Sequence, residues 1–258
     1  MKLDELRREI DWRIQNTLSI STPVIKRPVN TTARLERLLD PRQKDRYLQL
    51  TVRYSLTRWL TQCSAKEFMF NLYLLDLLDR YFPVIKLNGR GLDIGASSWS
   101  YLPALVSATG LEWDGVELDA NRRYWTLATR RAHAEFVCRH YPGCRYLAGS
   151  LLDITGEYCC ITWFLPFVTT RALQYWRLPQ RFFQPRTLLA HAWSKLRPRG
   201  VMLVVNQGEY EAEEQGRLFD GQSIVAEYIG ELPSVFYRFS QPRFAWIAHK
   251  PFPVGQNK

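Results

Sequence analysis

A chain of 258 residues, 46% of them hydrophobic, is long enough for one large domain with an appendage and apolar enough to bury a core. No run approaches the roughly 18 apolar residues of a membrane-spanning helix, and the charged start MKLDELRREIDWRIQ lacks a signal peptide's apolar centre, so a cytoplasmic protein with no membrane among its partners is expected. The net charge of +10 suits either a solubilising surface or an anionic partner such as nucleic acid, and five cysteines without framework spacing suit a reducing compartment.

Residues 1–88 read as a helical N-terminal segment. Asp40-Pro41 pairs an N-cap with a proline at the first helical position, and the apolar run that follows extends the helix to about Thr61. Ser64-Ala65-Lys66-Glu67 fits a capping box. The helix it opens, from Lys66 to Tyr81 with Pro83 beyond its end, is apolar around most of its circumference and should be buried.

From Gly89 the pattern changes to short apolar runs alternating with amphipathic stretches, which predicts a mostly parallel sheet wrapped by helices over 89–258. Strands are expected at Gly91–Ile94, Trp113–Leu118, Arg145–Ala148, Tyr158–Phe164 and Val201–Asn206. Helices are expected at Tyr101–Ala108, Ala120–His140, Pro185–Leu196 and Glu209–Phe219. At the end, Val235–Ser240 and Arg243–His249 are strand-like with only Gln241-Pro242 between them. So short a link permits a hairpin and no parallel crossover, so the sheet should close with an antiparallel hairpin.

Three features fall in order along this domain. Gly91-Leu92-Asp93-Ile94-Gly95-Ala96-Ser97-Ser98-Trp99 is a strand running into a small-residue turn, where backbone amides can approach a ligand closely. Gly115-Val116-Glu117-Leu118-Asp119 is a strand ending in acids, suited to accept hydrogen bonds from a ribose diol; Asp119 is equally a good cap for the next helix. Leu151-Leu152-Asp153 follows the third strand, where an acid can meet an adenine amino group. In open α/β sheets these tips converge where strand order reverses. His133, Cys138, His140 and Cys144 form a local cluster, yet no second Cys-x-x-Cys pair supports four convergent zinc ligands, and no metal is expected.

Over roughly Gly89 to Lys250 the sequence resembles the class I S-adenosylmethionine-dependent methyltransferases, which have a Rossmann-like fold with a terminal antiparallel hairpin. LDIGASSWSY resembles the first motif of that family, GVELDANRRY the second, AGSLLDI stands in the third motif's place, and EYCCITWFLPF and KLRPRGVMLVVNQGE resemble the fourth and fifth strands. The resemblance implies S-adenosyl-L-methionine as cofactor, with Asp93, Gly95 and Ser97 bordering its methionine part and Glu117 on the ribose. Asp119 and Asp153 would lie nearby. Ser97 and Trp99 replace the second and third glycines of the usual motif; Ser97 is tolerable if its φ stays negative, and Trp99 either lines the cofactor pocket or blocks it. On the acceptor side the candidates are Pro166, Phe167, Asn206 and Glu209, with Gln207 beside them and the segment Arg171 to Arg186 as a substrate-gripping element. Each has a bland alternative: a strand-ending turn for Pro166-Phe167, a satisfied loop for Asn206, an acid at a helix N-terminus for Glu209. The leading reading is methyl transfer to an unidentified acceptor. A catalytically silent binding domain and an RNA-modifying enzyme, suggested by arginine–aromatic pairs such as Arg53-Tyr54, Arg58-Trp59 and Tyr175-Trp176-Arg177, remain alternatives.

Overall fold

The computed structural model describes residues 3–18, 20–82 and 87–252. Seven strands, β1 (Arg90–Ile94), β2 (Glu112–Glu117), β3 (Arg145–Ala148), β4 (Tyr158–Phe164), β5 (Leu196–Gln207), β6 (Ala226–Glu231) and β7 (Arg243–His249), form one sheet in the order β3-β2-β1-β4-β5-β7-β6. The first five pair in parallel, and β7 runs antiparallel between β5 and β6. Strands β1 and β4, and β5 from Gly200 to Asn206, are buried almost without interruption because both faces of the sheet are covered. One face is covered by α6 (Leu102–Thr109) and the N-terminal helices, the other by α9 (Pro185–Lys195) and α10 (Gly208–Asp220). Strand order reverses between β1 and β4, which opens a crevice beyond their carboxyl ends.

The N-terminal segment contributes α1 (Leu3–Thr17), α2 (Thr32–Glu36), α3 (Pro41–Arg53), α4 (Thr57–Gln62) and α5 (Ala65–Tyr81). Capping boxes close the starts of α3, through Asp40 and Gln43, and of α5, through Ser64 and Glu67. The α5 helix packs along α6 inside the same core as the sheet. Its Asn71 reaches across: Oδ1 accepts from Ala104 N (2.9 Å) and Nδ2 donates to Ser100 O (2.8 Å). A residue of α5 therefore caps the first turn of α6, which has no cap of its own. Pro83 lies outside the described residues.

Three expectations are corrected. The helix expected to run from Asp40-Pro41 to about Thr61 breaks at Tyr54, whose backbone is extended and whose hydroxyl donates to Asp79 (2.8 Å). The helix expected from Ala120 begins only at α7 (Arg130–Cys138), capped by Thr129. Residues 120–129 form a tight loop instead, in which Tyr124 N bonds Ala128 O and Arg130 N bonds Arg122 O, both at 2.9 Å. Tyr124, Trp125 and Leu127, which would have had to face a core, are exposed. Finally, Val235–Ser240 is a loop, and the hairpin partner of β7 is β6. Tyr237 and Phe239 pack against Phe70 and Tyr73 of α5, and Phe236 is buried in the core, so this run is held by α5 and not by β7.

Candidate active site

The turn after β1 is tied to β2. Gly95 N and Ala96 N both donate to Val116 O (2.9 and 3.1 Å), and Gly95 has φ +75°, where glycine is unstrained. Ser97 does not keep a negative φ, as expected from sequence, but sits at +52°. Two contacts hold it there: its N–H donates to Glu117 Oε2 (2.7 Å), and the Tyr146 hydroxyl donates to its carbonyl (2.7 Å).

Trp99 neither lines nor blocks the crevice. It is fully buried beneath the turn, and its indole lies over Gly115 of β2, where an added Cβ would come within 2.6 Å of the ring. The bulk that replaces a glycine in the first motif is accommodated by a glycine in the facing strand. Trp99 is thus a core residue and not a cofactor ligand.

Asp93 is also beneath the site. Its carboxyl accepts from Thr162 Oγ1 (2.6 Å) and Tyr101 Oη (2.8 Å), and burial pushes its pKa up to about 7 against the lowering effect of those two bonds. Tyr101, not Asp93, reaches the cavity wall.

Glu117, at the tip of β2, is the hub. Oε2 accepts from Ser97 N; Oε1 accepts from Asp119 N (2.7 Å) and from Arg130 Nη1 (3.2 Å). Arg130 is itself buried, pairs with Asp119 at 3.4 Å, and stacks its guanidinium over Trp176 at 5.2 Å from the ring centroid. Asp119 accepts from Arg122 and does not start a helix; burial raises its pKa, opposed by Arg130 and Arg122. Asp153 stays apart from these acids. It accepts from Ser150 N (3.2 Å) to close a short 3-10 turn, is exposed, and does not line the cavity, whereas Ser150, Leu151 and Leu152 do.

The cavity at the strand tips measures about 260 Å³ and brings Gly95, Ser97, Glu117 and Asp119 together with Pro166 and Phe167. Leu165 stands at φ +57° at the end of β4, so the chain turns sharply and places Pro166 and Phe167 on the wall. Asn206 and Glu209 lie off the wall. Asn206 is fully buried with both amide atoms unpartnered, and Glu209 is an exposed acid in the first turn of α10.

Sequence reasoning misses Arg130, Tyr101 and Phe70 as wall residues. Trp176 and Phe182 fall inside the segment expected to grip substrate, around α8 (Thr170–Tyr175), and Arg122 donates to the Trp176 carbonyl to hold that segment over the crevice. Arg130 leaves no signal because the sequence pattern puts it in mid-helix. The arginine–aromatic pairs of the N-terminal segment are structural, with Trp59 in the core and Tyr54 bonded to Asp79. Among the described residues no cluster of three or more potential metal ligands occurs.

No family model and no curated protein matches the chain. Solved structures do. A SAM-dependent methyltransferase from Aquifex aeolicus aligns over 84% of this chain and 97% of its own, with 11% identity and a TM-score of 0.52. Phosphoethanolamine N-methyltransferase 2 of Haemonchus contortus, solved with S-adenosyl-L-methionine, aligns over 69% of this chain and 52% of its own at 15% identity and a TM-score of 0.46. An N-methyltransferase from Bradyrhizobium japonicum aligns over 71% and 95% at 12% identity and a TM-score of 0.46. The fold is that of the class I methyltransferases. The methyltransferase fold explains the strand order with its antiparallel β7 and the crevice at the β1–β4 reversal. Identities this low speak to architecture, and the chemistry has to be argued from the side chains.

Proposed function

We propose that this chain binds S-adenosyl-L-methionine in the crevice and transfers its methyl group to an acceptor that needs no base. The observation that carries the reading is the shared wall: Gly95 and Glu117 end adjacent strands and face one cavity. The donor set fits. The turn at Gly95 is open to close approach, since even a Cβ added there would meet nothing nearer than the Phe164 carbonyl oxygen at 3.9 Å. Glu117 has accepted three hydrogen bonds of the four its oxygens can take, so a ribose hydroxyl has an acceptor. Leu118, Leu151 and Leu152 offer apolar surface for a base.

Bound S-adenosyl-L-methionine supplies an electrophilic methyl group on a sulfonium. The protein's part is to align donor and acceptor and exclude water. Phe70, Phe164, Leu165, Pro166, Phe167 and Trp176 form the wall beyond the turn, and they bring no carboxylate, imidazole or ammonium. An acceptor held there must carry its own reactive lone pair, as an amine does, and the aromatic rings stabilise the positive charge that grows on it. The five cysteines are all free, which supports a reducing compartment such as the cytoplasm. We infer a division at residue 88, with the sheet after it and the helices before it supplying Phe70 to the cavity.

The silent-domain reading rests on Trp99 and the missing glycines; the core absorbs Trp99, and Ser97 adopts a positive φ in place of one of them. Calorimetry with S-adenosylhomocysteine tests the proposal, together with mass spectrometry of ligand released from purified protein. Heat of binding and a raised thermal midpoint are expected. The absence of both heat and a thermal shift would overturn it.

A further inference from the structure

Arg130 stands at the start of α7 and lines the cavity with a side chain that is 8% exposed. A guanidinium buried to that extent needs partners, because each N–H taken from water without an acceptor costs folding free energy. Arg130 is partnered at one nitrogen. Nη1 lies 3.2 Å from Glu117 Oε1 and 3.4 Å from Asp119 Oδ2, against about 2.7–2.9 Å for a well-formed charge-assisted bond. Nε and Nη2 donate to no protein atom among the described residues, and neither is sealed from solvent. The cavity wall is where such free N–H groups can meet a ligand.

The surroundings hold the guanidinium in this half-used state. Trp176 lies against it at 5.2 Å from the ring centroid, and an aromatic face attracts the charge without supplying a lone pair. Arg122 donates to the Trp176 carbonyl and to Asp119, which keeps the ring in place and occupies the second acid. Glu117 has the converse shortage. Its carboxylate already accepts from Ser97 N, Asp119 N and Arg130, so it has room for one further donor. A ribose diol offers two hydroxyls side by side. One can donate to Glu117, and the other is left to accept.

We propose, on the footing that the crevice holds S-adenosyl-L-methionine, that Arg130 donates to one hydroxyl oxygen of its ribose while Glu117 accepts from the other. The two side chains form a mixed clamp in which the carboxylate reads a donor and the guanidinium an acceptor, and the Nη1 contact between them sets their spacing. Arginine suits this role because its planar fork can hold an acid with one nitrogen and present the others to a ligand. Arg130 is thereby a cofactor-binding residue supplied by α7, outside the strand tips that carry Gly95 and Glu117. The clamp uses both hydroxyls, so it selects a ribose over either monodeoxy sugar.

Calorimetry with S-adenosylhomocysteine and its 2′-deoxy and 3′-deoxy analogues tests the clamp. The wild-type protein is expected to bind the parent compound about tenfold more tightly than either analogue. Arg130→Met removes every donor, and Arg130→Lys keeps the charge that the two acids need but has no second edge to present. Each should bring one of the two preferences to within about twofold and keep the other, and Glu117→Gln should do the same at the opposite hydroxyl. A preference is a ratio measured on one variant, so a general weakening of the site or a partly unfolded sample cancels from it. If Arg130→Met does not fold, Arg130→Lys carries the test. Retention of both preferences in a folded Arg130 variant overturns the proposal. So does loss of the same preference in the Arg130 and Glu117 variants, which would make Arg130 a support for Glu117 alone. A wild type that binds all three compounds alike overturns the clamp and leaves the cofactor reading standing, whereas a wild type that binds none of them overturns both.

Discussion

Glu117→Gln keeps the size of the side chain at the tip of β2 and removes its charge. An amide has one acceptor oxygen, so it can keep the Asp119 N–H and the Arg130 guanidinium, both now on Oε1, or the Ser97 N–H on Oε2. Keeping the first pair places an NH2 against Ser97 N, and the turn loses the contact that holds Ser97 at φ +52°. A buried donor left without a partner costs about 1–3 kcal/mol in folding stability. A charge-assisted hydrogen bond to the ligand costs about 1.5–3 kcal/mol more in binding, or roughly ten- to hundredfold in Kd. Urea unfolding gives the first quantity and calorimetry with S-adenosylhomocysteine the second. A variant that binds S-adenosylhomocysteine within about twofold of wild type would refute the placing of Glu117 on the ligand, whatever the stability change.

Gly115→Ala should destabilise the fold by about 1–3 kcal/mol, since its Cβ would meet the Trp99 ring at 2.6 Å, and Trp99→Leu in the same chain should restore most of the loss; chemical denaturation of the four variants of the cycle checks this. No restoration would mean that the indole is not what fills the space. Asp93 sets a pH dependence. Its folded pKa of about 7 lies above the ordinary aspartate value of about 3.9, so its contribution to stability is full below that lower value and is lost as pH rises towards 7. Thermal midpoints measured from pH 4 to 8 should therefore fall across that window for the wild type relative to Asp93→Asn, and parallel curves would sink the assignment.

Much of the architecture is local and therefore legible in the chain. β3 and β4 fall at their predicted residues, and β1, β2 and α9 come within a residue or two, because their signals are apolar runs bounded by turn and cap residues that act on their own neighbours. The N-cap at Asp40 and the capping box at Ser64 are likewise read within four residues. The strand tips that carry Gly95, Glu117 and Asp119 are legible for the same reason, and parallel pairing of β1 with β2 then brings them to one crevice.

The expectations that fail depend on contacts through space. The run 235–240 has strand-like chemistry, yet Phe70 and Tyr73 of α5 hold Tyr237 and Phe239. Residues 120–129 hold helix formers, but Arg130 is drawn to Glu117 and Asp119, and the helix starts there. Asp153 holds a ligand's position in the sequence pattern and serves as a cap, since the nearest donor is the amide three residues before it.

The sequence by itself determined the alternation of strands and helices, the glycine turn and the acid one strand later, all of them consequences of short-range chemistry. Only the tertiary structure decided that Trp99 lies under Gly115, that Arg130 joins two acids beneath Trp176, and that α1 turns an apolar stripe to solvent. Each of those depends on side chains far apart in the chain meeting once the sheet has formed, and no local pattern encodes which ones will meet.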